Sequence, residues 1–140
     1  MSDSLRRQQT AIMEIRTMYS SHQSWTPVVN SAVEAYAAED FELVRDLKNI
    51  LFKALERDAK AGELDYVLVA GLDRIARCYT LDRKYDRAEE IQQKILNTQK
   101  SVLGASSTEI LNTAMKLCNL AYAKNFNVPA YQKVEWRAAA

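Results

Sequence analysis

Residues 72–79 (Leu-Asp-Arg-Ile-Ala-Arg-Cys-Tyr) and residues 83–88 (Arg-Lys-Tyr-Asp-Arg-Ala) decide the fold of this 140-residue chain. Their large apolar and small positions recur at helical spacing on either side of a short break: Leu72, Ile75, Ala76, Tyr79, Tyr85 and Ala88. The two alanines would let two antiparallel helices approach closely, and the two tyrosines would fill the space beside them. The two stretches therefore predict a pair of antiparallel helices.

The same pattern repeats along the chain with a period of 42 residues. The matching pairs are Ile75 with Leu117, Ala88 with Ala130, and Gly62 with Gly104. Upstream, the offset is 43 residues from Tyr36 to Tyr79 and 44 residues from Phe41 to Tyr85, which predicts a shorter internal turn in the first unit. Because one helix pair cannot bury its apolar face alone, the repeated pairs are expected to stack into a continuous array.

These stretches resemble a tetratricopeptide repeat. In that family the first helix carries a large residue, a large-plus-small pair and then Tyr, and the second helix begins with an aromatic residue followed by a small Ala. Residues 95–104, which end in Val-Leu-Gly, are similar to the longer repeat of kinesin light chains, whereas Arg83 stands where the family favours Gly. The resemblance implies a right-handed stack whose first helices line a concave face that binds a segment of another protein.

Helical periodicity over the rest of the chain predicts an all-α fold of about seven helices in a single domain. The predicted units are an N-terminal helix near 3–20 with its link (1–25), a divergent repeat (26–62), a clear repeat (63–104) and an incomplete third repeat (105–140). Thr26 and Asp40 are expected N-caps. Ser106 and Glu109 match a capping box, and Pro129 is expected to open a last short helix.

Composition and charge exclude several classes of function. The chain has 19 Lys and Arg against 18 Asp and Glu, so it lacks the basic surplus of a nucleic-acid-binding protein. No apolar run approaches the length of a membrane span, and a cytoplasmic location is expected by default. His22, the only histidine, and the paired acids lack the partners that catalysis would need. We therefore expect no enzyme activity, no metal and no cofactor.

Two cysteines and one glycine are expected to serve packing. Cys78 and Cys118 lie far apart without nearby histidines, and their positions on the inner helix faces predict two buried thiols. Gly71 lies inside a predicted helix, where Gly costs about 1 kcal/mol relative to Ala. It indicates close approach of either a ligand backbone or the preceding helix, and packing is the preferred interpretation.

By the resemblance to tetratricopeptide repeats, the concave face supplies the candidate partner-binding residues. They are Asn30, Glu34, Asp73, Arg77, Thr80, Asn112, Met115, Asn119 and Tyr122. This face is mixed in charge and lacks a cluster of Lys and Arg that would clamp a carboxylate. The leading hypothesis is an adaptor or scaffold that holds a protein segment there.

The alternative hypothesis is a structural module that assembles with other copies through its terminal helices. The short helix after Pro129 offers little cover for the apolar face of the helix before it, and uncovered apolar faces mark association sites. Tyr131 and Val134 are the candidate self-association residues, and they predict a homodimer.

Overall fold

The computed structural model describes residues 6–8 and 24–126. Five helices have bounds in the described ranges: α1 (Thr26–Ala37), α2 (Phe41–Lys60), α3 (Tyr66–Leu81), α4 (Tyr85–Leu103) and α5 (Thr108–Phe126). Residues 6–8 are also helical, and no strand occurs in the described ranges, which confirms the all-α class. The remainder of the helix predicted near 3–20 and the helix predicted after Pro129 lie outside the described residues. The count of seven helices therefore stays a prediction.

The first two helices begin differently, since the N-cap residue of α2 makes a side-chain cap hydrogen bond and that of α1 does not. Asp40 is the N-cap of α2, as predicted, and its carboxylate accepts a hydrogen bond from Leu43 N at 3.4 Å. The predicted cap of α1 is wrong by one residue, because Trp25 is the N-cap and Thr26 is the first helical residue. Ser24 Oγ accepts a hydrogen bond from Thr26 N at 3.2 Å, so a serine outside the helix satisfies that N–H group.

α3 and α5 also begin at side-chain caps, whereas α4 begins after Lys84 without one. The carboxylate of Asp65 caps α3 by accepting hydrogen bonds from the backbone N–H groups of residues 67 and 68. The capping box predicted at Ser106 is replaced by Ser107, whose Oγ accepts a hydrogen bond from Ile110 N at 3.2 Å. Ser106 is displaced from this role because the turn after Gly104 extends through it before α5 starts.

The turn between α1 and α2 has the same geometry as the turn between α3 and α4. Three backbone hydrogen bonds of the first turn each have an equivalent in the second. In the first turn the donors and acceptors are Ala38 N to Glu34 O, Glu39 N to Tyr36 O, and Asp40 N to Ala35 O. In the second turn the equivalent bonds, in the same order, are Asp82 N to Cys78 O, Arg83 N to Thr80 O, and Lys84 N to Tyr79 O. Each pair is 44 residues apart. Tyr36 is therefore equivalent to Thr80 rather than to Tyr79, and the prediction of a shorter first turn is wrong.

Replacing Arg83 with Gly is expected to raise the free energy of unfolding by about 0.5–1 kcal/mol. Arg83 and Glu39 both adopt φ of 59°, a left-handed conformation that costs an L-residue about 1–2 kcal/mol. Gly relieves this cost but loses part of the gain through its greater freedom in the unfolded chain. Urea denaturation followed by circular dichroism measures the change. Glu39→Gly tests the matching turn, and a loss of stability in both variants would contradict the proposed strain.

The helices pack against their sequence neighbours and also against helices two positions away. α1 contacts α3, and α2 contacts α4, so the four helices share one core. Ala76 and Ala88 are buried, as predicted from their small size. The large side chains that are fully buried in this core are Leu43, Leu47, Leu51, Leu55, Leu68, Leu72, Ile75, Ile91 and Ile95.

Gly71 lies where α3 meets α1. A Cβ atom built at Gly71 would lie 2.3 Å from Cγ2 of Val29, which is closer than two non-bonded carbon atoms can approach. The packing interpretation of Gly71 is therefore correct. The helix that approaches is α1, however, and not the immediately preceding helix α2. Val29 is itself buried, so it has little room to move away.

The charged side chain of Lys48, in α2, is buried in this packing. Only 4% of its side chain is exposed, and its Nζ donates a hydrogen bond to Glu90 Oε1 of α4 at 2.7 Å. The same ammonium group lies 5.4 Å from the centroid of the Phe52 ring. The Lys48–Glu90 ion pair connects α2 to α4, and the carboxylate of Glu90 compensates the buried charge of Lys48.

Candidate protein-binding surface

Both predicted groove residues of α1 are exposed, but one of them already has a hydrogen-bond partner within the fold. Asn30 and Glu34 both lie on the surface of α1. The guanidinium of Arg74 donates a hydrogen bond to Asn30 Oδ1 at 3.1 Å, which connects α1 to α3. The sequence pattern did not single out Arg74. Asn30 therefore offers only part of its hydrogen-bonding capacity to a partner.

Asp73 connects three helices. Its Oδ1 accepts hydrogen bonds from Gln92 Nε2 of α4 at 2.7 Å and from Lys116 Nζ of α5 at 3.0 Å. Gln92 is buried, and the side chain of Asp73 is only 23% exposed. The carboxylate thus has charged and neutral partners within the fold. Its main contribution is to hold α3, α4 and α5 in register, which leaves it less available to a bound segment.

The two remaining groove residues of α3 differ in access. Arg77 is exposed on the helix surface. Thr80 is half-buried, and its hydroxyl donates a hydrogen bond to the carbonyl oxygen of Ala76 at 2.9 Å. Arg77 is therefore the α3 residue best placed to meet a partner.

The predicted residues of α5 fall on both sides of that helix. Asn112 and Met115 are exposed, and Tyr122 is half-buried. Asn119 is buried, so its assignment to an open groove is wrong. It lies on the side of α5 that also carries Leu120 and is turned toward α4.

The cysteines also depart from their prediction as two buried thiols. Cys118 is exposed, and Cys78 is half-buried. Burial raises the pKa of the Cys78 thiol, against a smaller opposing effect of the nearby Arg74. Cys118 is exposed because the side of α5 on which it lies is not covered by the other described helices.

An apolar strip runs along the outer face of α5. Leu111, Met115, Cys118, Tyr122 and Phe126 follow one another at intervals of four, three, four and four residues, which places them on one helix face. Three of them are strongly exposed: Leu111 by 61%, Met115 by 44% and Phe126 by 63%. The Tyr122 and Phe126 rings lie with their centroids 4.7 Å apart. We call these five residues the α5 strip.

The α5 strip was only partly anticipated. Met115 and Tyr122 were predicted partner-binding residues, whereas Leu111 and Phe126 were not singled out, and Cys118 was placed in the core. The regular spacing in the sequence is a sufficient signal for a second apolar face on this helix. The 42-residue repeat conceals this second face because it equates Cys118 with the buried Ala76.

A second surface feature is a cleft of about 580 Å³ at the end of the molecule where the two equivalent turns lie. We call it the turn-end cleft. Three aromatic residues, four basic residues and two acidic residues line it: Phe41, Tyr79, Tyr85, Arg45, Arg83, Lys84, Arg87, Glu42 and Asp86. Lys84 Nζ lies 3.6 Å from the centroid of the Phe41 ring. None of these residues belonged to the predicted groove.

Aromatic packing supports the turn-end cleft from the side of α1. The Tyr36 ring contacts those of Phe41 and Tyr79 edge-on, with both centroid separations 5.2 Å. Its hydroxyl donates a hydrogen bond to Asp82 Oδ2 at 2.7 Å. Burial, together with that carboxylate, raises the pKa of Tyr36 well above its usual value. These contacts hold the α1–α2 turn against the α3–α4 turn.

Residues 6–8 and 24–126 hold neither a metal cluster nor a helix suited to crossing a membrane. No group of three or more His, Cys, Asp or Glu side chains is arranged to hold a metal ion among residues 6–8 and 24–126. Within the same ranges, no helix combines the length and apolar character that crossing a membrane requires. His22, Tyr131 and Val134 lie outside the described residues.

Comparisons with protein-family models, curated proteins and solved structures find no match to this chain.

Proposed function

We propose that the chain is a protein-binding module built as a tetratricopeptide-like stack of helix pairs with a right-handed curve. Two observations support this architecture. The α1–α2 and α3–α4 turns share their hydrogen bonds residue for residue, and contacts of α1 with α3 and of α2 with α4 place equivalent helices side by side. Both are features of stacked repeats, in which each unit packs mainly on its neighbours.

The α5 strip carries the functional part of the proposal. Large apolar side chains exposed in one row cost free energy in water, and such rows mark interaction sites. Asn112, on the same helix, adds an exposed polar group near it. The strip thereby places Met115 and Tyr122 of the predicted groove on a surface with a physical reason to bind.

The occupant we propose is an amphipathic segment of another protein. The strip runs for about 22 Å along α5 at 1.5 Å per residue, the length of a short helix or extended segment. A stable interface between two folded proteins buries about 800 Å² on each side, contributed by roughly 20–30 residues. Five side chains fall short of this, so the strip by itself suits one bound segment better than a second copy of the fold.

Selection from a displayed library of short amphipathic peptides tests this function. We expect peptides with apolar residues at helical spacing to be enriched, as in helix-in-groove recognition. The Leu111→Lys/Met115→Lys variant is expected to weaken the selected peptide by at least about tenfold in fluorescence polarisation, because two charges would be placed against its apolar face.

Leu81→Lys is the matched control for that experiment. Leu81 is also strongly exposed, by 66%, but it lies beside Tyr36 and Ala37 of α1, away from α5. Its substitution should leave peptide affinity unchanged. Selection of no peptide above a scrambled library, or an equal loss in the control variant, would refute the strip as a binding site.

Self-assembly is the second candidate function, because the strip lies on the last helix that the structure describes. In that case the occupant is a second copy, and the chain is a structural module within an oligomer. Sedimentation over a range of protein concentrations distinguishes the two functions. A dimer that dissociates in Leu111→Lys/Met115→Lys supports assembly, whereas a monomer leaves the adaptor function. The roles of Tyr131 and Val134, and the cytoplasmic location, stay predictions.

A further inference from the structure

We propose that the turn-end cleft is a second binding site and that it holds an acidic segment of a partner protein. The cleft is formed by the starts of α2 and α4 and by the end of α3. It contains no residue of the α5 strip and none of the predicted concave face. Binding at the cleft can therefore be tested independently of peptide binding on α5.

Charge is the first argument. Four cationic and two anionic side chains line the cleft, in a chain whose net charge is only +1. Two of the cations have nearby carboxylates: Arg45 lies 3.8 Å from Glu42 and 3.5 Å from Asp46, and Lys84 lies 3.4 Å from Asp82. With these neighbours counted, four cations face four anions, so the positive charge available to a partner is that of the cations with no carboxylate beside them.

Arg83 and Arg87 are the two cations left without an internal partner. Neither forms an ion pair or a side-chain hydrogen bond with any residue in the described part of the chain. Arg83 is held in the turn by its backbone, whose N–H donates to Thr80 O at 3.1 Å, and Arg87 lies one helical turn further along. Two exposed guanidinium groups lining one cleft can each take a carboxylate in a two-bond arrangement.

The aromatic walls of the cleft strengthen the electrostatic attraction that these cations exert on an anion. Tyr79 and Tyr85 are largely buried aromatic side chains, and an apolar wall beside cations focuses the electrostatic field into a cleft. Phe41, 37% exposed, adds an apolar contact for the stem of a bound Glu or Asp. The volume of about 580 Å³ accommodates a few side chains rather than a folded domain.

A protein segment fits this cleft better than a nucleic acid does. Glu42 pairs with Arg45 and Asp86 pairs with Lys124, so the cleft offers a partner only two uncompensated cations. Two cations are too few to bind a continuous row of phosphates. A peptide can place carboxylates beside Arg83 and Arg87 and leave uncharged residues next to the two acids. The combination of paired arginines, flanking acids and aromatic walls thus selects short acidic stretches separated by neutral residues.

Fluorescence anisotropy with a labelled peptide of Glu-Leu-Glu-Glu-Leu-Glu sequence tests the proposal. We expect saturable binding that weakens as salt is added, and no comparable binding by the same peptide with Gln in place of Glu. The variant Arg83→Gly/Arg87→Gln should weaken the acidic peptide by about tenfold, the effect of losing two charge-assisted contacts at an exposed site. Gly suits the left-handed conformation at position 83, so this variant is expected to fold.

Lys53→Ala/Lys100→Ala is the matched control, because it gives the same net charge as Arg83→Gly/Arg87→Gln. Both leave 17 basic residues against 18 acidic ones, a net charge of −1. Lys53 and Lys100 are exposed, and Lys100 lies about 20 Å along α4 from Arg87. The control should retain the affinity of the parent. Equal loss in both variants, equal binding of the Gln peptide, or tighter binding of inorganic phosphate or oligothymidine than of the acidic peptide would overturn the proposal.

Discussion

Replacing Gly71 with Leu is expected to lower the free energy of unfolding by about 3 kcal/mol, at the upper end of the usual cost of overpacking a core. The position faces α1, where even a single added carbon would lie 2.3 Å from Val29 Cγ2. Val29 and Leu72 are buried around this contact, so the helices must separate to admit a larger side chain. Urea denaturation monitored by circular dichroism gives the change directly.

The Gly71→Ala variant distinguishes the loss of stability caused by the Val29 contact from the gain caused by higher helix propensity. In an exposed helix this substitution gains about 1 kcal/mol, but here the added methyl overlaps Val29, and a net loss is expected. In a Val29→Ala background the same substitution should lose little or no stability relative to Val29→Ala alone, since the two sites share one contact. Ala70→Leu, one residue earlier on the exposed side of α3, is the control and should change stability by less than about 0.5 kcal/mol. A parent-like Gly71→Leu protein would show that α1 and α3 do not meet there.

Much of the helical architecture can be predicted from local sequence. The cap at Asp40 depends on chemistry that operates within one helical turn. The same holds for the turn signal of Gly62, which has a positive φ of 76°. Boundaries at Thr26 and Ser106 moved by one residue because a neighbouring serine provided a competing cap.

The incorrect prediction that Cys118 of α5 is buried has a different cause. Cys118 occupies the position that Ala76 occupies one repeat earlier, and local sequence predicts the same burial for both. Ala76 is buried because α3 lies among α1, α2 and α4, whereas the main described neighbour of α5 is α4. Burial of a repeat residue therefore depends on whether a further element covers that face, which the repeat pattern alone does not contain.

The candidate surfaces required tertiary structure for a similar reason. Asp73 is a reasonable groove residue from its helix position, but only the folded chain brings Gln92 and Lys116 to its carboxylate. The turn-end cleft unites residues 41–45 with residues 79–87, which are separated by the whole of a helix pair. The repeat relates Phe41 to Tyr85, but it does not show which side chains of the two units meet, so the cluster becomes visible only in the folded chain.

Glu90→Ala is expected to cost about 2 kcal/mol, because it removes the carboxylate that compensates the buried Lys48. Breaking a fully buried pair costs about 3–5 kcal/mol, and the value is reduced here because water reaches the Glu90 side, which is 47% exposed. Lys48→Met is expected to be nearly neutral, since its apolar stem already packs in the core and Met removes the buried charge altogether. Urea denaturation of both variants measures this asymmetry.

Glu56→Ala is the control that makes the test specific to burial. Glu56 pairs with Lys94, and this pair also connects α2 to α4, but Lys94 is 34% exposed and remains hydrated when its partner is lost. Its removal should cost less than about 0.5 kcal/mol, as for most exposed ion pairs. In the double variant Lys48→Met/Glu90→Ala most of the Glu90→Ala loss should vanish, because no unpaired charge is left inside. Equal costs for Glu56→Ala and Glu90→Ala would mean that Lys48 reaches water, and the asymmetry would then have no basis.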